Sequence, residues 1–195
     1  MSASTPSRVR MTADERRRQL IGIGLRLLVT RPIHELAIDE VAEVAGISRG
    51  LLFHYFPTKR DYYVAVVRSA GDRLLGHTEL PEDGSAEERA RVIADGFVSF
   101  IRRRKANYLA LVRAASGGDD RVMEVYQEVR TTLTDRFLDA VGRPDPDAMT
   151  RLAVRGWLAM AEEMAVEAGA ELSTEDLVTF LVEDLLRVAA IPGTD

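Results

Sequence analysis

Residues Ile38 to Phe56, IDEVAEVAGISRGLLFHYF, leave the backbone little choice. Ile38, Val41, Ala42 and Ala45 recur at the three- and four-residue steps of one helical face, with Asp39, Glu40 and Glu43 on the others. Gly46 can take the left-handed conformation that ends a helix, and Ser48 is a good N-cap for a second one. That second segment puts Leu52 and Phe56 on one face and leaves Arg49, Gly50, Phe53 and His54 for something else. Two short helices joined by a glycine turn form a helix-turn-helix, the unit that lays its second helix in the major groove of DNA. Base edges are read from the N-terminal end of that helix, which here carries Arg49 beside the slim Gly50. The tripeptide Gly-Ile-Ser alone would equally join any two packed helices.

The longer run GISRGLLFHYFPTKRDYYVAVV resembles the DNA-binding domain of TetR-type transcriptional regulators, which commonly show Gly-Val-Ser-x-Gly-x-Leu-Tyr-x-Tyr/His-Phe-x-x-Lys. The resemblance implies that Arg49, Gly50, Leu51, Phe53 and His54 face the groove, with Ser48 at the helix start among the DNA-binding residues. It places Tyr55 near backbone phosphate and Lys59 on phosphate, and makes Gly46, Leu52 and Phe56 structural. Ala37 stands where the family usually has Thr, and Phe53 where it usually has Tyr; each lacks a hydroxyl that could reach phosphate. The match covers roughly the first third of the chain.

Charge distribution supports a nucleic-acid partner despite a formal net charge of −5. Residues 1–60 hold 10 Lys and Arg against 6 Asp and Glu, or +4; residues 61–195 hold 16 against 25, or −9. A basic end on an acidic body would fix the docking orientation on DNA. The 195 residues contain no cysteine, which excludes disulfides and thiolate chemistry and suits a cytoplasmic location. MSASTPSRVR lacks the apolar core of a signal peptide, and no apolar run reaches the roughly 18 residues that cross a bilayer, so no membrane partner is expected.

Three segments follow in order. Residues 1–11 read as a flexible arm in which Arg8 and Arg10 either reach DNA or are simply solvated. Residues 12–58 form the DNA-binding domain, opening with the capping box Thr12-Ala-Asp-Glu15 and a helix to about Thr30 whose apolar face is Leu20, Ile23, Leu27 and Leu28; Pro32 ends it. Arg16 to Arg18, near its start, suit phosphate contact or solvation equally. Residues 59–195 form the remainder, which the resemblance implies is an effector-binding and dimerisation domain. It begins with a connecting helix to about Leu75 whose apolar face is Tyr63, Val66, Val67 and Ala70. Helices at 86–105, 107–116, 119–141, 147–169 and 174–190 follow, with no convincing strand, so the fold class is all-α.

The last helix carries Leu177, Leu181, Leu185 and Val188 on one side, and the one before it aligns Leu152, Gly156, Met160 and Met164. Arcs this broad suit either a deeply buried helix or a four-helix dimer interface; the resemblance implies the interface. Phe97, Phe100, Ile101, Tyr108, Val112, Met123, Tyr126, Arg130 and Trp157, with Met160 beside them, suit either a core or a ligand cavity, and the resemblance implies an effector pocket.

Catalysis finds little footing. His34, His54 and His77 are scattered with no metal-ligand spacing, so neither metal nor cofactor is expected, and no nucleophile motif is present. Asp119-Asp120 and Glu162-Glu163 are adjacent pairs that diverge by about 100° on a helix and read as solvated surface. The run Arg102 to Lys105 suits the dipole of a helix C-terminus. The expected function is a homodimeric transcriptional repressor that leaves an inverted-repeat operator when a small-molecule effector binds. The alternatives are an activator, a regulator answering to a protein partner, and a helical enzyme with a helix-turn-helix docking module.

Overall fold

A computed structural model describes residues 11–27, 37–106, 108–109, 112 and 119–190. The proposed N-terminal arm apart from Met11, together with Arg8, Arg10, Leu28, Pro32, His34 and most of the 107–116 segment, lies outside them. Among the described residues there are eight helices and no strand: α1 (Ala13–Leu27), α2 (Ile38–Ala45), α3 (Arg49–Tyr55), α4 (Lys59–Leu75), α5 (Ala86–Arg103), α6 (Asp120–Ala140), α7 (Ala148–Glu167) and α8 (Thr174–Ala189).

Most starts are set by side-chain caps. The Thr12 amide donates to Glu15 at 2.7 Å and the Glu15 amide returns a bond to the Thr12 hydroxyl at 3.2 Å, the expected capping box. Thr58 with Asp61 and Ser85 with Glu88 form the same reciprocal box for α4 and α5. Asp119, Asp147 and Ser173 cap α6, α7 and α8. Helix α2 is the exception: Ala37, standing where the family pattern has Thr, gives its N-terminus no side-chain bond.

The helices pack into two cores. Leu20 and Ile23 of α1, Val41 and Ala42 of α2 and Leu52 of α3 close on Phe56 and on Tyr62 and Val66 of α4 to make a small head. Tyr62, fully enclosed, donates its hydroxyl to the Leu20 carbonyl at 2.8 Å, and burial pushes that hydroxyl above its ordinary pKa. Helices α5 to α8 surround a larger core in which Trp157 packs edge-on against Phe137 at 4.7 Å and donates to the Leu181 carbonyl at 3.1 Å.

Helix α4 belongs to both cores, so the buried face expected from its sequence is corrected. Tyr62, Val66 and Val67 are buried, whereas Tyr63 and Ala70 are half-buried. A helix with the head on one side and the body on another has two buried stripes, and a single-stripe reading finds only part of them. Farther along α4, Leu74 joins the body core and Val67 meets Val122 and Val125 of α6. Gly71 brings the two helices close: a Cβ there would lie 2.6 Å from a Val129 methyl.

Candidate nucleic-acid interface and body cavity

The reading head is built by the turn between α2 and α3. Gly46 sits at φ 65°, left-handed, and its amide returns to the Glu43 carbonyl at 3.0 Å. Ser48 then accepts from the Leu51 amide at 3.2 Å and starts α3. Leu52 and Phe56 anchor the helix in the head, and Ser48, Arg49, Gly50, Leu51 and His54 are left exposed. Phe53 and Tyr55 are half-buried against the head core, so each presents an edge to the surface. Arg49 reaches back to Asp39 on α2 at 3.2 Å, with side chains 62% and 69% exposed, and lies 5.4 Å over the Phe53 ring. The Lys59 ammonium, exposed at the start of α4, lies 5.2 Å over Tyr63. Of the α1 arginines, Arg17 braces the head by donating to the Tyr55 carbonyl at 3.3 Å and lying 4.5 Å over Phe56, and Arg16 bonds Gln19 at 2.7 Å.

In the body, a cavity of about 120 Å³ opens beside α6 and α7. Tyr108, Leu109, Val112, Tyr126, Ala159, Glu162, Glu163 and Val166 line it. Glu162, 14% exposed, is its polar centre: it accepts from the Tyr108 hydroxyl at 2.6 Å, from Tyr126 at 3.5 Å and from Arg130, itself 11% exposed. Arg130 also donates to the Tyr126 oxygen at 3.2 Å and to the Arg155 carbonyl at 3.3 Å. Burial first, and the Glu162 charge second, push both tyrosine hydroxyls above their ordinary pKa. Burial, the largest single influence on Arg130, would lower its pKa, but Glu162 and Tyr126 together outweigh it and raise the pKa above its ordinary value.

These two sites fit one lineage, and comparison with known proteins decides it. The profile described as "Bacterial regulatory proteins, tetR family" matches residues 20–66, and "Tetracyclin repressor-like, C-terminal domain" matches residues 86–188. The chain belongs to the TetR family. A TetR-family transcriptional regulator from Streptomyces coelicolor has a similar structure, with TM-score 0.80 and 32% identity over 93% of this chain and 83% of that one. A TetR-like regulator from Rhodococcus sp. RHA1 shares the fold at TM-score 0.71 and 21% identity, covering 94% of this chain and all of its own. The HTH-type transcriptional activator FasR of Mycolicibacterium smegmatis is 26% identical over 69% of this chain, and the HTH-type transcriptional regulator BetI of Escherichia coli is 35% identical over 42%. Those matches span 62% and 44% of the relatives' own lengths. This TetR-family chain is therefore a DNA-binding transcriptional regulator of all-helical fold, and its relatives are regulators, not enzymes.

The cavity gathers only part of the pocket expected for such a regulator. Tyr108, Val112 and Tyr126 line it, and Arg130 stands behind Glu162. Phe97, Ile101 and Trp157 belong to the body core and do not line it; Met160 is half-buried against that core, and Met123 is exposed on α6. The reading of Glu162 as solvated surface is corrected. Its signal was positional: it lies four residues after Leu158 and four before Val166, both buried, whereas Glu163 is exposed. Arg102 serves chain packing, bonding the Gly169 carbonyl at 3.1 Å and Thr174 at 3.3 Å.

The expected interface residues also divide. Leu177, Leu181 and Leu185 are buried inside their own chain and Val188 is half-buried, because α8 fills the body between α5 and α7. The apolar surface left open runs instead along Met149, Leu152, Gly156 and Ala159 of α7, with Phe180 exposed on α8. Among the described residues no cluster of His, Asp and Glu could hold a metal ion, and no helix is long and apolar enough to cross a membrane.

Proposed function

We propose that this regulator is a homodimeric repressor that binds an inverted-repeat operator through Ser48 to His54 and Lys59, and releases it when a small molecule enters the body cavity. On this reading residues 12–58 carry the reading head and 59–195 the control and pairing functions, and a DNA target is consistent with a cytoplasmic location. The observation that carries this reading is the tie between α4 and α6. Arg60 bonds Asp119, the cap of α6, at 2.9 Å, while Arg121 bonds Asp61, a member of the α4 cap, at 2.8 Å. Arg68 adds a third rung to Glu128 at 2.7 Å. Helix α6 carries Tyr126 and Arg130 at the cavity, and three residues separate the end of the reading helix from the start of α4. A ligand that shifts α6 therefore pulls the start of α4, and with it the head.

The test is reciprocal titration. A ligand that weakens operator binding must itself bind more weakly in the presence of operator, by the same factor, typically about 5–150-fold. Equal ligand affinity with and without operator would remove the release mechanism. The activator description of FasR supports activation as the second reading. Transcription reconstituted on a template bearing the operator separates the two, falling with added protein for a repressor and rising for an activator.

A further inference from the structure

The cavity's wall chemistry says what charge its occupant carries. Its polar lining consists of two tyrosine hydroxyls and two carboxylates, and no described lining residue is a cation. Arg130, the nearby cation, is turned into the wall: its NH1 faces Glu162 and the Tyr126 oxygen, and its NH2 faces the Arg155 carbonyl. An incoming anion would have to displace Glu162 from that guanidinium and leave a carboxylate unpaired in a half-closed space, which is costly. Acceptors, by contrast, are in excess. The Tyr108 hydroxyl donates to one Glu162 oxygen at 2.6 Å and keeps lone pairs of its own, and that carboxylate oxygen has a second lone pair. With Arg130 cancelling the charge of Glu162, exposed Glu163 leaves one net negative charge among the described residues of the site. The remaining surface is two tyrosine rings with Leu109, Val112, Ala159 and Val166, a lining that suits an apolar body and the electron-rich faces that attract cations.

We propose that this cavity takes a compact organic cation, an alkylammonium whose N–H groups meet Glu162 and the tyrosine oxygens while its alkyl part fills the space between Val112 and Val166. The proposal rests on the reading of the cavity as the effector site and specifies the ligand's chemical class.

Three probes of nearly one shape isolate the charge: tert-butylammonium, tert-butanol and pivalate, titrated by calorimetry into the full-length protein at pH 7 and constant ionic strength. The cation should bind tightest and the anion weakest, with at least about a tenfold separation between them. Glu163→Gln, at an exposed position, should weaken tert-butylammonium by roughly two- to fivefold and leave tert-butanol unchanged. Glu162→Gln should abolish the preference for the cation, and Tyr108→Phe, which keeps the ring, should reduce it if Glu162→Gln does not fold. Pivalate binding as tightly as the cation, or no binding of any probe at millimolar concentration, overturns the proposal. The two readings fail separately. An anionic or neutral ligand that binds here and alters operator affinity would sink the cation and keep the effector site, whereas a cation that binds here without altering operator affinity would do the reverse.

Discussion

Arg49 already has a partner in Asp39, and magnitudes decide whether DNA can take it away. A pair this exposed contributes at most about 1 kcal/mol, while a bidentate guanine contact gives about 1–3 kcal/mol of discrimination. If Arg49 reads a base as proposed, guanine would win, with Asp39 holding the side chain in place until then. Arg49→Ala should therefore cost about 1–3 kcal/mol on operator and little on random DNA, whereas Lys59→Ala should weaken both alike and lower the salt slope by about one. Anisotropy titrations over a salt series check this, and an equal loss on both DNAs for Arg49→Ala would remove its base-reading role. Glu162 presents the opposite balance, since its removal strands Arg130 in a mostly buried place. Glu162→Ala should destabilise the fold by up to about 3–5 kcal/mol in urea denaturation, and Glu162→Gln, which keeps one acceptor oxygen for Arg130 but turns a donor toward Tyr108, by less. The contrast also explains what could be read in advance. Gly46, Ser48 and Arg49 act within a dozen residues of each other, so local spacing exposes them. Glu162 meets Tyr108, Tyr126 and Arg130 at separations of 54, 36 and 32 residues, and no periodicity within one helix encodes that meeting.

Helix α4 shows the same limit in a different form. Its existence, its start at Lys59 and its end at Leu75 were legible from turn residues and apolar spacing, but its two buried stripes and its ties to α6 depend on how the helices cross. Those ties can be cut without touching the caps. Arg60→Gln with Arg121→Gln and Arg68→Gln leaves Thr58, Asp61 and Asp119 in place to start their helices. Being exposed, the three pairs contribute little stability, so the triple variant should fold and bind operator nearly as the parent does. Its ligand should, however, no longer weaken operator binding, and an unchanged coupling factor would show that the signal takes another route. Acidity gives an independent handle. Arg121 first and Thr58 second hold the Asp61 carboxyl below its ordinary pKa, and Arg60 does so for Asp119. Depressed carboxyls stabilise the fold fully above the unfolded value of about 3.9 and lose that contribution as pH falls through the depressed value. The coupling factor should thus be flat between pH 5 and 8 on this account, and a change within that window would point to a group other than these two carboxyls.

The proposed inverted-repeat operator would take two copies, and the open apolar surface is where the proposed pair would meet. Leu152 is 64% exposed, Met149 52% and Phe180 47%, while a Cβ added at Gly156 would meet nothing within 4 Å. That stripe lies on α7 and α8, the helices whose apolar arcs were broad enough in sequence to suggest a second partner; which leucines faced inward could not be told until α5 was placed against α8. Charge at the two kinds of position should act differently. Leu181→Glu puts a carboxylate in the chain's own core and should give unfolded or insoluble protein, whereas Leu152→Glu should leave each chain folded and yield monomers by sedimentation. The monomer is then the sharpest probe of control. If release works by changing the distance between two heads, set about one helical turn of DNA or a small multiple apart, a single head has no spacing to lose. Leu152→Glu should still bind ligand in the cavity and still bind a half-site, with about half the salt slope of the dimer on the full operator. Ligand should no longer shift its DNA affinity. A monomer whose half-site binding weakens with ligand as much as the dimer's operator binding would mean that the signal reshapes the reading head itself, through Lys59 and the start of α4, and spacing would not be the variable.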